Sequence, residues 1–369
     1  MQVGVLKETA ARENRVALTP DSAGRLVKSK VDVTVQRGAG ERAGFPDDAY
    51  AAVGARVAPD AAATCAGARV VVKVQPPSDE EVAVLDAGTV LVSLMRPGQH
   101  APLAQKLSAR GVSGMALELV PRITRAQSMD VLSSQSTVAG YKAVLLGASE
   151  LGKFLPMLTT AAGNIQPARV FVIGAGVSGL QAIATARRLG GVVSAFDVRP
   201  AAREQILSLG ASFVAAELVS ATAESSGGYA RAQTDAERDS TLAAIAGHIK
   251  DVDLVITTAQ VPGKPAPRLI PEAVVRQMRP GAVIVDLAAE NGGNCELTRA
   301  GETVHAHGVS IMGPVNLPST VPFHASQMFG RNVLTLLQHL IGKDGVLTVD
   351  PNDEITGAML VAHDGKVVR

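Results

Sequence analysis

The stretch Arg169–Asp197, RVFVIGAGVSGLQAIATARRLGGVVSAFD, decides the fold. An apolar run, Val170 to Ile173, ends in Gly174-Ala175-Gly176-Val177-Ser178-Gly179. A helix-like stretch, Leu180 to Leu189, follows. A second apolar run, Val192 to Phe196, ends in Asp197. Strand, glycine-rich turn, helix, strand and acid in this order form the dinucleotide-binding fingerprint. Gly174 permits the tight turn, Gly176 lets the backbone approach a pyrophosphate, and Gly179 lets helix and strand pack closely. The helix N-terminus offers N–H groups and a partial positive charge to phosphates. Asp197 lies 23 residues after Gly174. A carboxylate there can accept from both ribose hydroxyls and repels a 2′-phosphate, which favours NAD(H) over NADP(H). Arg199, close by, is the residue type that accommodates such a phosphate.

Outward from this unit, short apolar runs alternate with helical patterns, which argues for βαβ units and mainly parallel sheets. Strands are expected at Val3–Leu6, Val31–Val35, Val70–Val74, Val90–Leu94 and Gly114–Leu119, then near Ser212–Ala215, Asp253–Thr257, Val283–Leu287 and Val309–Met312. Val138 to Ala161 reads as one long helical pattern without a strand signal, and Ser326 to Ile341 as another. The expected fold is α/β, with two Rossmann-like domains of parallel sheet. The first domain covers residues 1–133 and is completed by 318–369, and a nucleotide-binding domain covers 134–317. Long crossing helices link them, and the cleft between them is the expected ligand site.

Pro121 to Ser133, PRITRAQSMDVLS, packs Arg122, Thr124, Arg125, Gln127, Ser128, Asp130 and Ser133 into a segment with almost no apolar periodicity. Arg supplies a planar fork of donors, Gln both a donor and an acceptor, and Asp an acceptor. Such a loop between two regular elements reads as a ligand clamp. The bland alternative is a solvated connection. Glu217 to Ser240 breaks the rhythm and contains Gly227-Gly228-Tyr229. Loops of this length are functional or plain insertions. A lid capped by Tyr229 and a featureless insertion weigh equally on the residues alone.

Composition narrows the classes. The chain has 369 residues, Lys+Arg 35 against Asp+Glu 34, and net charge +1, so nothing suggests a nucleic-acid partner. Cys65 and Cys295 are the two cysteines. They fit a reducing compartment and read as small buried residues rather than ligands. No run of 18 apolar residues suggests a membrane span, and the opening MQVGVLKETAARENR is not of signal-peptide type. The histidines show no ligand spacing, so no metal is expected. His248 reads as surface-exposed, and Asp79-Glu80-Glu81 and Arg187-Arg188 as solvated helix faces.

GVLKETAARENRVALTP, PRITRAQSMDVLSSQSTVAGY, GAGVSGL, FDVRP, GGYA, TTAQVPGKPAP and VDLAAENGGN together resemble the NAD(H)-binding component (subunit alpha) of proton-translocating nicotinamide nucleotide transhydrogenases. The likeness covers essentially the whole chain. It implies direct, Si/Re-specific hydride transfer from NADH bound here to NADP⁺ on an NADP(H)-binding partner subunit. It also implies a membrane proton-conducting subunit, a homodimer, and a cytoplasmic chain that meets the membrane only through its partners. The chain ends at Arg369 without a membrane segment, so those parts are expected as separate polypeptides. The resemblance assigns Arg122, Gln127, Asp130 and Ser133 to the nicotinamide end, with Ser128 and Met129 between them. Gly174, Ala175, Gly176, Val177 and Gly179 hold the pyrophosphate. Asp197, Val198 and Arg199 surround the adenosine end, Gly228 and Tyr229 close over the nucleotide, and Thr258, Ala259 and Gln260 line it. Gln260 stands where a Leu is common, and residues 235–241, Thr241 among them, do not match closely.

Alanine dehydrogenases share the opening motif and the nucleotide-binding domain, and are the rival. In that family an Arg and a Lys bind an oxo acid and a His is the acid/base. Arg15 and Lys73 stand where the first two would be, but Arg96 replaces the His, and Glu290 replaces an Asp. Reducing an imine needs a proton donor matched to neutral pH. Hydride transfer between two nicotinamides needs none. Arg15 and Lys73 then read as structural ion-pair residues.

Overall fold

The computed structural model describes residues 1–98, 100–215, 234–261, 264–342 and 345–369. They form two compact units, Met1–Gln135 with Pro318–Arg369, and Ser136–Leu317.

The first unit is built on β1 (Gln2–Val5), β2 (Asp32–Gln36), β3 (Arg56–Ala58), β4 (Val70–Val72), β5 (Val90–Ser93) and β6 (Ser113–Ala116). Their order is β6-β5-β4-β1-β2-β3, all parallel. Two C-terminal strands, Leu360–His363 and Lys366–Val367, extend the β6 edge antiparallel. Val70, Val71 and Val72 are all fully buried. Their side chains alternate between two apolar clusters, one on each face of the sheet. The helix Pro322–Leu340 covers one face with Phe329, Val333, Leu336 and Leu337.

The second unit begins within the helix Val131–Glu150, which is followed by a hairpin, β7 (Leu158–Thr160) and β8 (Gly163–Ile165). Its sheet contains β9 (Arg169–Ile173), β10 (Val192–Phe196), β11 (Ser212–Phe213), β12 (Leu254–Thr257), β13 (Val283–Asp286), β14 (Thr303–Ala306) and β15 (Val309–Met312). The order is β11-β10-β9-β12-β13-β15-β14, parallel except for β14 at the edge. Val170 and Val172 face one core, and Phe171 and Ile173 the other. This double burial is why the strand reads as an unbroken apolar run.

Both sheets reverse strand order once, between β1 and β4 and between β9 and β12. At such switch points the connections after neighbouring strands leave in opposite directions and open a crevice at the strands' carboxyl ends.

Several expectations are corrected. The helical pattern expected over 138–161 is a helix over Val131–Glu150 followed by the β7–β8 hairpin. Asp130 starts the helix early, because its Oδ1 accepts from the Ser133 backbone N–H at 2.9 Å as an N-cap does. Pro156 cannot continue a helix, and the exposed hairpin carries no apolar alternation to announce it. Residues 235–240, expected in a loop, are helical. The helix Asp235–Ile249 starts with a reciprocal cap between Thr234 and Glu237. His248 is half-buried rather than surface-exposed, 2.8 Å from Ser194 Oγ and edge-on to Phe171. Glu81 is not solvated: it is 5% exposed and pairs with Lys73 at 2.5 Å. Cys65 and Cys295 are free and buried as expected.

Candidate functional site

In the second unit the glycine-rich turn leaves β9 at the switch point. Gly174 has φ 93°, and a Cβ there would sit 2.7 Å from Thr258 Oγ1. A Cβ on Gly179 would lie 1.8 Å from the Gly174 carbonyl oxygen, whereas one on Gly176 would meet nothing within 4 Å. Gly179 therefore closes the turn, while Gly176 faces open space. Gly176 is the N-cap of the helix Val177–Arg188, with no side-chain cap bond. The turn is thus shaped for a phosphate: uncapped helix N–H groups beside a cleared backbone.

Across the switch point, the chain leaves β12 as Thr258-Ala259-Gln260. Thr258 Oγ1 donates to the Gly174 carbonyl at 2.9 Å, which ties the two loops together. Gln260 is exposed and donates to the Leu287 carbonyl at 3.0 Å. Behind this loop stands a network that sequence reasoning missed. Asn294, fully buried, accepts from Ala259 N–H at 3.0 Å and donates to the Ala259 and Pro267 carbonyls. Asp286, also fully buried, accepts from Thr257, Thr298, and the backbone of Ala288, Asn294 and Cys295. The only signal was Gly292-Gly293, both at positive φ, which turns the chain so that Asn294 points back.

Asp197 directly follows β10 and is 6% exposed. One oxygen accepts from Ala175 N–H at 2.7 Å. Arg199 grips both oxygens, Nε at 2.9 Å and Nη2 at 2.8 Å, and its backbone N–H adds another bond at 2.9 Å. Val198 is packed against the apolar core, and Val177 is exposed.

The polar segment lies in the first unit. Thr124–Met129 is a 3-10 turn. Its apolar members, Ala126 and Met129, are in the core, at 0% and 4% exposure. That pins the turn and leaves Arg122, Gln127 and Ser128 exposed. Asn332 from the Pro322–Leu340 helix donates to the Ser128 carbonyl at 2.7 Å. Arg125 pairs with Asp353 at 3.0 Å. Ser133 Oγ donates to Asp130 Oδ2 at 2.6 Å. Gly228 and Tyr229 lie outside the described residues.

The first unit's own switch point holds a buried charge cluster. Glu13 bonds Arg15 through both oxygens and also accepts from Gln75 at 2.8 Å. Arg96 donates to Gln75 at 3.0 Å. Burial works to raise the Glu13 carboxyl, but the Arg15 hydrogen bonds and charge outweigh it and hold it at about 2. Glu8 accepts from the Val74 and Gln75 N–H groups, and burial pushes it up to about 7 despite the nearby Lys73. Among the described residues no group of His, Cys, Asp and Glu is arranged to hold a metal.

Two sheets of this strand order, one with a glycine-rich phosphate turn at its switch point, define an NAD-binding oxidoreductase of Rossmann-like fold. The models of the alanine dehydrogenase/PNT N-terminal and C-terminal domains match residues 4–139 and 143–369, and the chain belongs to that family. Over the whole chain it is 45% identical to the first of the polypeptides that make up NAD(P) transhydrogenase subunit alpha in Rhodospirillum rubrum, of which 98% is covered. The solved structure of a transhydrogenase from Sinorhizobium meliloti is 42% identical, with a TM-score of 0.90 and both chains fully covered. An alanine dehydrogenase of Halomonas elongata is 32% identical, covering all of this chain and 94% of that protein.

Proposed function

We propose that this chain is the NAD(H)-binding alpha component of a proton-translocating transhydrogenase. It would hold NADH so that hydride passes directly to NADP⁺ on a partner subunit. The observation that carries the choice over the alanine dehydrogenase reading is the first unit's switch point. Arg15 and Lys73 are engaged by the chain's own carboxylates, Glu13 and Glu81. Among the described residues of this cluster none is a histidine. Glu8 titrates near neutrality, but it is 4% exposed and turned onto backbone N–H groups. It is badly placed to give a proton to a substrate.

The chain's residues act by position. Gly174, Ala175, Gly176, Val177 and Gly179 take the pyrophosphate at the helix N-terminus. Asp197 accepts from the adenosine ribose, Arg199 orients Asp197, and Val198 lies alongside. Thr258, Ala259 and Gln260 form the opposite wall. Arg122, Gln127 and Ser128 offer exposed polar groups to the nicotinamide end, beside the coupled Asp130–Ser133 pair, while Met129 anchors the turn from the core. Gly228 and Tyr229 are assigned the role of closing over the nucleotide. Reacting carbons must approach to roughly 3–3.5 Å, so the clamp's work is to fix one ring and leave a face open to the partner. NADH and NADPH are nearly equal reductants. The drive comes from a membrane potential, ~2.3 kcal/mol per charge per 100 mV, applied in a membrane subunit. No described helix here is long and apolar enough to cross a membrane. The chain is proposed to work as a homodimer on the cytoplasmic side of the membrane, held there by its partners.

Mixing the chain with an NADP(H)-binding component tests the reading. Exchange of hydride between NADH and an NAD analogue, dependent on added NADP(H), is expected. Steady NADH formation from NAD⁺ and alanine by the chain alone would establish the rival.

A further inference from the structure

The switch point between β1 and β4 is where an open α/β sheet ordinarily takes a ligand. Here charged side chains of the chain fill it, and one of them reaches the clamp. Arg15 is 3% exposed. Its Nε and Nη2 bond the two oxygens of Glu13 at 2.8 and 2.7 Å, a fork-to-fork pair that fixes the guanidinium plane. Its Nη1 donates to Gln135 Oε1 at 2.8 Å. Gln135 is 8% exposed and stands two residues after Ser133, in the opening turns of the helix Val131–Glu150. Its Nε2 donates to the Ala325 carbonyl at 3.1 Å and to Ser134 Oγ at 3.2 Å. The start of this helix is therefore held from both sides, by the buried ion pair and by the Pro322–Leu340 helix. The same start carries the Asp130–Ser133 pair, joined by bonds of 2.9 and 2.6 Å.

We propose that Arg15, acting through Gln135, is a positioning residue for the Asp130–Ser133 pair of the clamp, an inference that rests on the transhydrogenase reading. The Asp130–Ser133 bonds fix the two side chains relative to each other, but not the turn that carries them. Before the pair the chain is pinned by Met129 and by the Asn332 bond to the Ser128 carbonyl; after it the anchor is Gln135, held by a planar guanidinium that Glu13 already clamps. Gln75 and Arg96 continue the brace on the far side of Glu13, at 2.8 and 3.0 Å. An arginine employed this way is not available to a substrate carboxylate. The residue that suggests an oxo-acid site in the sequence thus serves the nicotinamide site.

The test uses Gln135→Leu, which deletes the bonds to Arg15, Ser134 and Ala325 at similar size, and Gln135→Glu, which keeps an oxygen for Arg15 but loses the donation to Ala325. Each is combined with the NADP(H)-binding component, and kcat and KM for NADH are measured in the hydride-exchange reaction. NADH affinity and melting temperature are measured on the chain alone. For Gln135→Leu, kcat is expected to fall on the order of tenfold to a hundredfold, as for a small misplacement of reacting groups. NADH affinity should stay within about threefold, a change below 1 kcal/mol. Gln135→Glu should recover most of the rate. A Gln135→Leu chain that transfers at the unaltered rate would overturn the inference. So would a rate loss matched by lost NADH affinity and melting, without recovery in Gln135→Glu. No exchange by the unaltered chain would overturn the functional reading itself, and the inference with it.

Discussion

Asp197 carries the nucleotide choice. Its carboxylate already takes bonds from Ala175 and Arg199, so it is fixed in place before any ribose arrives. Asp197→Asn keeps the shape but removes the charge that repels a 2′-phosphate and loosens the hold on Arg199. Hydrogen bonds to a charged group are worth about 1.5–3 kcal/mol. NADH is therefore expected to bind roughly tenfold or more weakly, with the gap between NADH and NADPH narrowed; titration of both nucleotides measures it. An unchanged gap would show that Asp197 is not the selector. Gly179→Ala is a steric test of the same turn. Its Cβ would meet the Gly174 carbonyl oxygen at 1.8 Å, so the turn must open. Overpacking of this kind costs about 1–3 kcal/mol, and both a lower melting temperature and weakened NADH binding are expected.

At the scale of elements, the loop after β12 depends on Asn294. Asn294→Ala strips the Ala259 N–H and two carbonyls of their buried partner, each a penalty of about 1–3 kcal/mol where no water replaces it. The expected result is a lower melting temperature with NADH affinity reduced. Stable protein with full affinity would mean that the loop holds itself. The strands around this site were legible in the sequence because β9, β12 and β13 are buried on both faces and read as plain apolar runs. The glycine turn was legible because Gly174 and Gly179 each have a local steric reason. The β7–β8 hairpin was not, since its residues are nearly all exposed and carry no period. Of the charge cluster, Arg15 and Lys73 were legible as ion-pair residues, but their partners were not. Glu8, Glu13, Lys73, Glu81 and Gln135 come from distant parts of the chain, and pairing through topology leaves no mark on local spacing. Glu81 in particular sits in an acidic run that looks like a solvated helix start, and one turn of helix sends it inward to Lys73.

At the scale of the whole molecule, the buried cluster gives stability a pH dependence. Glu8 sits at about 7 when folded, against 4.5 for an ordinary glutamate. A raised carboxyl contributes stability that is fully present below about 4.5 and is lost as pH rises through about 7. The difference is on the order of 3 kcal/mol. Glu8→Gln should flatten this slope between about pH 4.5 and 7, which thermal unfolding across that range will show; an identical slope would place the titration elsewhere. Function at this scale rests on hydride passing between two nucleotides held by different subunits. The direct measurement supplies NADH deuterated at the transferred position, NADP⁺, and the chain assembled with its NADP(H)-binding component. Direct transfer predicts that the deuterium appears in NADPH and none in water. Label lost to solvent, or transfer that proceeds without the partner component, would contradict it.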